Sequence, residues 1–191
     1  GNNVVTSGNV SGTSVTVTGL SGNTQYDAYV RADCGGGNGQ SAWIGPVSFT
    51  TPCAAVTSLP YTESFTSGFP TCWTRNNTSE VTISPNCGTN ASNFLFIDGV
   101  AGAVAETPTI DVSSQSSILV SWDYRAGCNN DPEATDSIHV DYWDGSQWVQ
   151  LVNYDGNTAS FSWTRDSFLI LSGLSAQFKL RFDMQSGSGT N

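Results

Sequence analysis

Apolar side chains in this chain recur with period two, and no convincing stretch shows the three-and-four spacing of an amphipathic helix. Val15 and Val17; Tyr26, Ala28, Val30 and Ala32; Ile118, Val120, Trp122 and Tyr124; Ile138, Val140 and Tyr142; and Phe178, Leu180, Phe182 and Met184 all alternate with other residues. Successive side chains of an extended strand point to opposite faces, so each set turns one face to a core and the other to water. Gly, Ser, Thr and Asn crowd the intervals. Many short strands with dense turn signals predict an all-β protein built as two antiparallel β-sandwiches.

Charge narrows the partners. Sixteen acidic side chains against six basic ones give a net charge of −10. That balance excludes a nucleic-acid partner, because phosphate binding needs clustered Lys and Arg that release counterions. Hydrophobic residues make up 38% of the chain, enough to bury a core. No apolar run approaches the roughly eighteen residues of a membrane helix, so no membrane insertion is expected of this segment.

A domain boundary falls where Thr51-Pro52-Cys53-Ala54-Ala55-Val56-Thr57-Ser58-Leu59-Pro60 interrupts the alternation with Pro and small residues. The expected division is 1–52, a linker at 53–59, and 60–191. On the N-terminal side, Leu20-Ser21-Gly22-Asn23-Thr24-Gln25-Tyr26 and the strand that follows resemble the corner between strands E and F of a fibronectin type III domain. Trp43 to Thr51 is similar to that family's last strand. The resemblance implies that Tyr26 bonds back to the backbone and pins the corner. It also implies that strands A, B and C lie outside the chain, which is then a section of a longer polypeptide.

On the C-terminal side, Pro60-Tyr61-Thr62-Glu63-Ser64-Phe65, then Gly68-Phe69-Pro70-Thr71-Cys72-Trp73, resemble the opening strand of MAM-like jelly-roll modules in large secreted and surface proteins of Bacteroidota. The order Cys87, Phe94 to Gly99, Thr107 to Asp111, Ile118 to Tyr124, Cys128, and Asp136 to Trp148 is similar to both MAM and reelin-type repeats. A last strand is expected to be missing from this module.

Five cysteines without a paired CxxC do not read as a zinc site; they read as disulfides, which place the chain outside the cytosol. Under the resemblances, Cys34 at the end of strand F meets Cys53 after strand G, and Cys87 and Cys128 correspond to a cysteine pair of reelin-type repeats. Cys72 is left over, either bonded to another chain or to a segment outside this sequence, or a buried free thiol beside Trp73.

Enzyme signatures are lacking. The single His, His139, sits on a strand, and no spacing nominates a nucleophile or an orienting carboxylate beside it. No enzyme activity is expected. The acidic stretch Asn129 to Asp136 suits a structural Ca²⁺, with Asp131, Glu133 and Asp136 as ligands and Glu63 as a contributor; the alternative is a solvated acidic loop. Asp136-Ser137-Ile138 also matches the short O-glycosylation signal of Bacteroidota.

With apolar positions inward, Asp123, Arg125, His139, Asp141, Trp143, Lys179, Arg181 and Asp183 face outward on three strands. Trp143 with His139, Asp141, Arg125 and Arg181 is the candidate ligand face, since an exposed indole flanked by hydrogen-bonding groups suits a sugar ring. The bland alternative is that alternating strands always carry charge outside, with Trp143 capping the Asp144-Gly145 turn. The resemblances imply a non-catalytic section of a large extracellular or cell-surface adhesin, a type IX secretion cargo. Its modules would act as stalk and as binding units for surface glycans or protein ligands, beside adjacent domains of the same polypeptide. The alternative is a set of accessory modules of a secreted hydrolase.

Overall fold

The computed structural model describes residues 4–84, 93–98, 100–127, 136–156 and 162–186, and it is all-β, with eleven strands and no helix among them. The chain divides into two compact units, Gly1–Ala54 and Ala55–Asn191.

The first unit holds one antiparallel hairpin, β1 (Gln25–Val30) and β2 (Ile44–Thr50). The Tyr26 hydroxyl accepts the N–H of Ser21 at 2.9 Å, and Thr51 Oγ1 donates to the Ser21 carbonyl at 2.6 Å, which closes the turn leading into β1. A bulge lies between Ala28 and Val30, opposite Gly45. Gly45 has φ +134, and a Cβ there would come within 2.6 Å of the Ala28 carbonyl oxygen, so only glycine fits.

Pairing sets Tyr26 beside Phe49, Ala28 beside Val47 and Val30 beside Ile44, an apolar face whose Val30, Ile44 and Val47 are 65 to 71% exposed. Alternation was expected to turn such a face onto a core. Here the described residues of the unit supply a single two-stranded layer, so no second sheet packs on it. Val15 and Val17 likewise lie outside any strand and are exposed, contrary to the expectation of a strand there.

The second unit is layered. A five-stranded antiparallel sheet runs in the order β3 (Thr74–Arg75), β6 (Val104–Glu106), β11 (Lys179–Ser186), β8 (Ser137–Trp143), β9 (Trp148–Asp155). Two hairpin-like pairs accompany it: β7 (Ile118–Tyr124) with β10 (Thr164–Ile170), and β4 (Val81–Ser84) with β5 (Phe94–Ile97). Ile110, Val112, Tyr142, Ile170 and Phe178 form one buried cluster, with Ile118, Val120 and Leu180 packed against it. Val81, Ala103, Ala105 and Met184 form a second, joined by Leu95 and Ile97. The inward faces of β8 and β11 therefore meet β7 and β10 over one core and β4 and β5 over the other, a jelly-roll-like sandwich.

Cysteine pairing departs from the expectation. Cys53 is disulfide-bonded to Cys72, while Cys34 is free and exposed. Strand direction explains the difference. Cys34 follows the end of β1 and its N–H bonds to Gly39 in the connection to β2, whereas Cys53 follows the far end of β2, beside Gln25. The two lie beyond opposite ends of the hairpin, whose paired length alone is about 17 Å at about 3.3 Å per residue, well beyond disulfide reach. Cys72 is thus neither a free thiol nor a cross-link to another chain. Cys87 and Cys128 lie outside the described residues.

One polar chain crosses the sandwich. Trp122 Nε1 donates to the Tyr154 hydroxyl at 3.0 Å, and that hydroxyl donates to Asp166 Oδ2 at 2.8 Å, linking β7, β9 and β10. Burial first, and then the hydrogen bond to Asp166, raise the Tyr154 phenol above its ordinary value of 10.0. A raised phenol favours the protonated form in the folded state. Its contribution is complete below pH about 10 and is lost as pH rises beyond that.

Tyr154→Phe is expected to cost about 1 kcal/mol at neutral pH, the typical net worth of a hydrogen bond. The gap between the two proteins should shrink above pH about 10, which urea denaturation at stepped pH would show. The comparison cancels Tyr61, whose hydroxyl is raised chiefly by its own burial.

Candidate functional site: the outer face of the five-stranded sheet

On β11, Leu180, Phe182 and Met184 turn inward, so Lys179, Arg181 and Asp183 occupy the other face. On β8, Ile138, Val140 and Tyr142 alternate in the same way with His139, Asp141 and Trp143. Register sets Lys179 beside Trp143, Arg181 beside Asp141 and Asp183 beside His139. From β9, Trp148 stands opposite Trp143 and Gln150 opposite Asp141; from β6, Glu106 stands opposite Arg181.

These neighbours are joined. Arg181 donates from Nη2 and Nε to Asp141 Oδ2 at 2.6 and 3.1 Å, and its Nε lies 3.5 Å from Asp183 Oδ2. Its guanidinium carbon sits 4.4 Å from the centroid of the Trp148 ring. Lys179 Nζ is 3.2 Å from Glu106 Oε2. Trp143 and Trp148 meet at 5.5 Å and 62°.

A tight turn fixes the two indoles. Asp144 Oδ1 accepts the backbone N–H groups of Ser146 and Gln147 and the Ser146 hydroxyl, at 2.7 to 2.8 Å. These bonds, the one from the Gln147 backbone foremost, hold the Asp144 carboxyl below its ordinary value. Gly145, at φ +106, supplies the left-handed step of the turn.

Of the five residues expected on the ligand face, Trp143, His139, Asp141 and Arg181 share this surface, and Arg125 does not. Arg125 follows β7, which pairs with β10 rather than with β8 or β11, and its Nε is buried with no hydrogen-bond partner among the described residues. Asp123, on β7, is bound by Arg165 at 2.7 Å; that guanidinium holds its carboxyl low, far from the indoles in strand order. Asp141 and Asp183 are also not the solvated carboxylates that alternation implies, being 3% and 8% exposed. Both are ion-paired to Arg181, whose guanidinium lies against Trp148. Sequence reasoning passed over Trp148, Glu106 and Gln150. The Asp-Gly turn between Trp143 and Trp148 was the signal that pairs the two indoles.

The expected calcium set is mostly beyond reach. Asp131 and Glu133 lie outside the described residues. Asp136 is nearly buried, and its carbonyl accepts the Gly156 N–H. Glu63 Oε1 accepts the N–H groups of Ser64 and Phe65 at 2.8 and 2.6 Å, so that oxygen is spent on its own turn. Among the described residues no helix is long and apolar enough to cross a membrane.

Comparison with known protein families finds no match to this chain, and comparison with curated proteins finds none either.

Proposed function

We propose that the chain is a non-catalytic section of a large extracellular, surface-held adhesin, in which the C-terminal unit binds ligand and both units act as spacers. The disulfide between Cys53 and Cys72 supports an oxidising compartment. The observation that carries the binding role is the outer face of the five-stranded sheet, where two indoles and a braced guanidinium sit on the solvent side of a packed sheet. Both indoles are half-buried, so each keeps part of its ring toward solvent beside polar groups that are already fixed. The resemblances add a structural calcium at the acidic stretch Asn129 to Asp136 and export by type IX secretion.

Beads coated with the whole chain are expected to adhere to surfaces carrying neuraminidase-treated mucin or matrix proteins. Trp143→Ala is expected to abolish most of that adhesion while leaving the thermal transition in place. Equal adhesion by the variant, or none by either protein, would remove the binding role from this face.

A further inference from the structure

We infer that the face formed by Trp143, Trp148, Arg181 and Lys179 takes a neutral sugar ring, not an acidic one. The inference rests on the binding role proposed above and names its ligand class.

Charge decides against an anion. Lys179 is committed to Glu106, and Arg181 to Asp141 and Asp183, so two cations meet three carboxylates and the face is left with one net negative charge. The whole chain, at −10, adds repulsion at longer range. An acidic sugar would have to break an ion pair to find a cation, and taking Arg181 would leave the nearly buried Asp141 alone. A neutral pyranose needs none of this. Its apolar C–H face packs on an indole, and its hydroxyls exchange hydrogen bonds with groups already held in place.

The indoles are not equivalent. The guanidinium of Arg181 covers Trp148, whereas the half-buried Trp143 has one ring contact among the described residues, the edge-on one with Trp148, and no cation over it there. Trp143 is therefore the stacking platform. Trp148 and Asp141 are positioning residues, which hold Arg181 with Nη1 outside its described ion pairs.

Native affinity electrophoresis of the whole chain at pH 7 tests this, in gels containing laminarin, galactomannan or polygalacturonate. Retardation is expected in at least one neutral gel and not in polygalacturonate. Trp143→Ala should weaken it roughly tenfold, and Trp143→Phe, which keeps a smaller ring, by less. Trp163→Ala should leave it unchanged, because Trp163 is exposed elsewhere, against Phe94. Retardation by polygalacturonate alone, by no neutral polymer, or undiminished in Trp143→Ala would overturn the inference.

Periodate treatment of the bead target separates this failure from that of the parent reading. Adhesion that needs Trp143 but survives periodate points to a protein ligand, which sinks the sugar and keeps the face. Adhesion insensitive to Trp143 sinks both.

Discussion

Replacing Arg181 with Met is expected to destabilise the C-terminal unit by about 3 kcal/mol, the lower end for breaking a buried ion pair from one side. The Asp141 side chain is 4% exposed and that of Asp183 is 12%, whereas Arg181 is 22% exposed, so water compensates part of the loss. Met retains much of the apolar stem over Trp148, so the cost falls on the two stranded carboxylates. Asp141→Asn should cost less, because a neutral amide still accepts from the guanidinium.

The double variant Arg181→Met with Asp141→Leu is expected to recover much of the loss, since exchanging a whole buried pair for apolar groups is often close to neutral. Urea denaturation of the wild type, Arg181→Met, Asp141→Leu and the double variant closes the cycle. Additive losses would mean that the pair is an incidental contact, and the picture of a braced guanidinium would fall with it.

Removing the disulfide should have an effect of similar size by a different route. Cys53 and Cys72 enclose a loop of about twenty residues, and closing it removes about 3 kcal/mol of chain entropy from the unfolded state. Cys72→Ser is therefore expected to lower the denaturation midpoint with little change in native contacts. Cys34→Ser should change nothing, since that thiol is exposed and unbonded. Peptide mapping without reduction should recover the Cys53 and Cys72 peptides linked. A linked Cys34 and Cys53 instead would restore the pairing first expected and contradict the strand geometry.

Period-two alternation located β7, β8 and β11 nearly to the residue, because each has one face on the core. It failed at Val15 and Val17, where no partner strand or core meets the pattern among the described residues. Alternation also separates faces without saying which sheet a strand joins. Asp123 and Arg125 were thus grouped with His139 and Arg181, although β7 lies in the opposite layer.

The same limit hid Glu106, which reaches Lys179 only because β6 lies beside β11, 73 positions away in the chain. Solvent-side carboxylates read as hydrated from sequence. Asp141 and Asp183 are nearly buried and ion-paired to Arg181, which is a property of packing that no local pattern records. The cysteines show the cost of reading strand ends without strand direction.

The binding role of the outer face can be read atom by atom from the six indole N–H signals in a proton–nitrogen correlation spectrum. The chain is titrated with oligosaccharides cut from whichever neutral polymer retards it. The signals of Trp143 and Trp148 are expected to move together with one affinity, while those of Trp73 and Trp122, bonded to Tyr61 and Tyr154, stay in place. Movement confined to the exposed Trp43 or Trp163, with Trp143 and Trp148 still, would contradict the assignment of the ligand to this face.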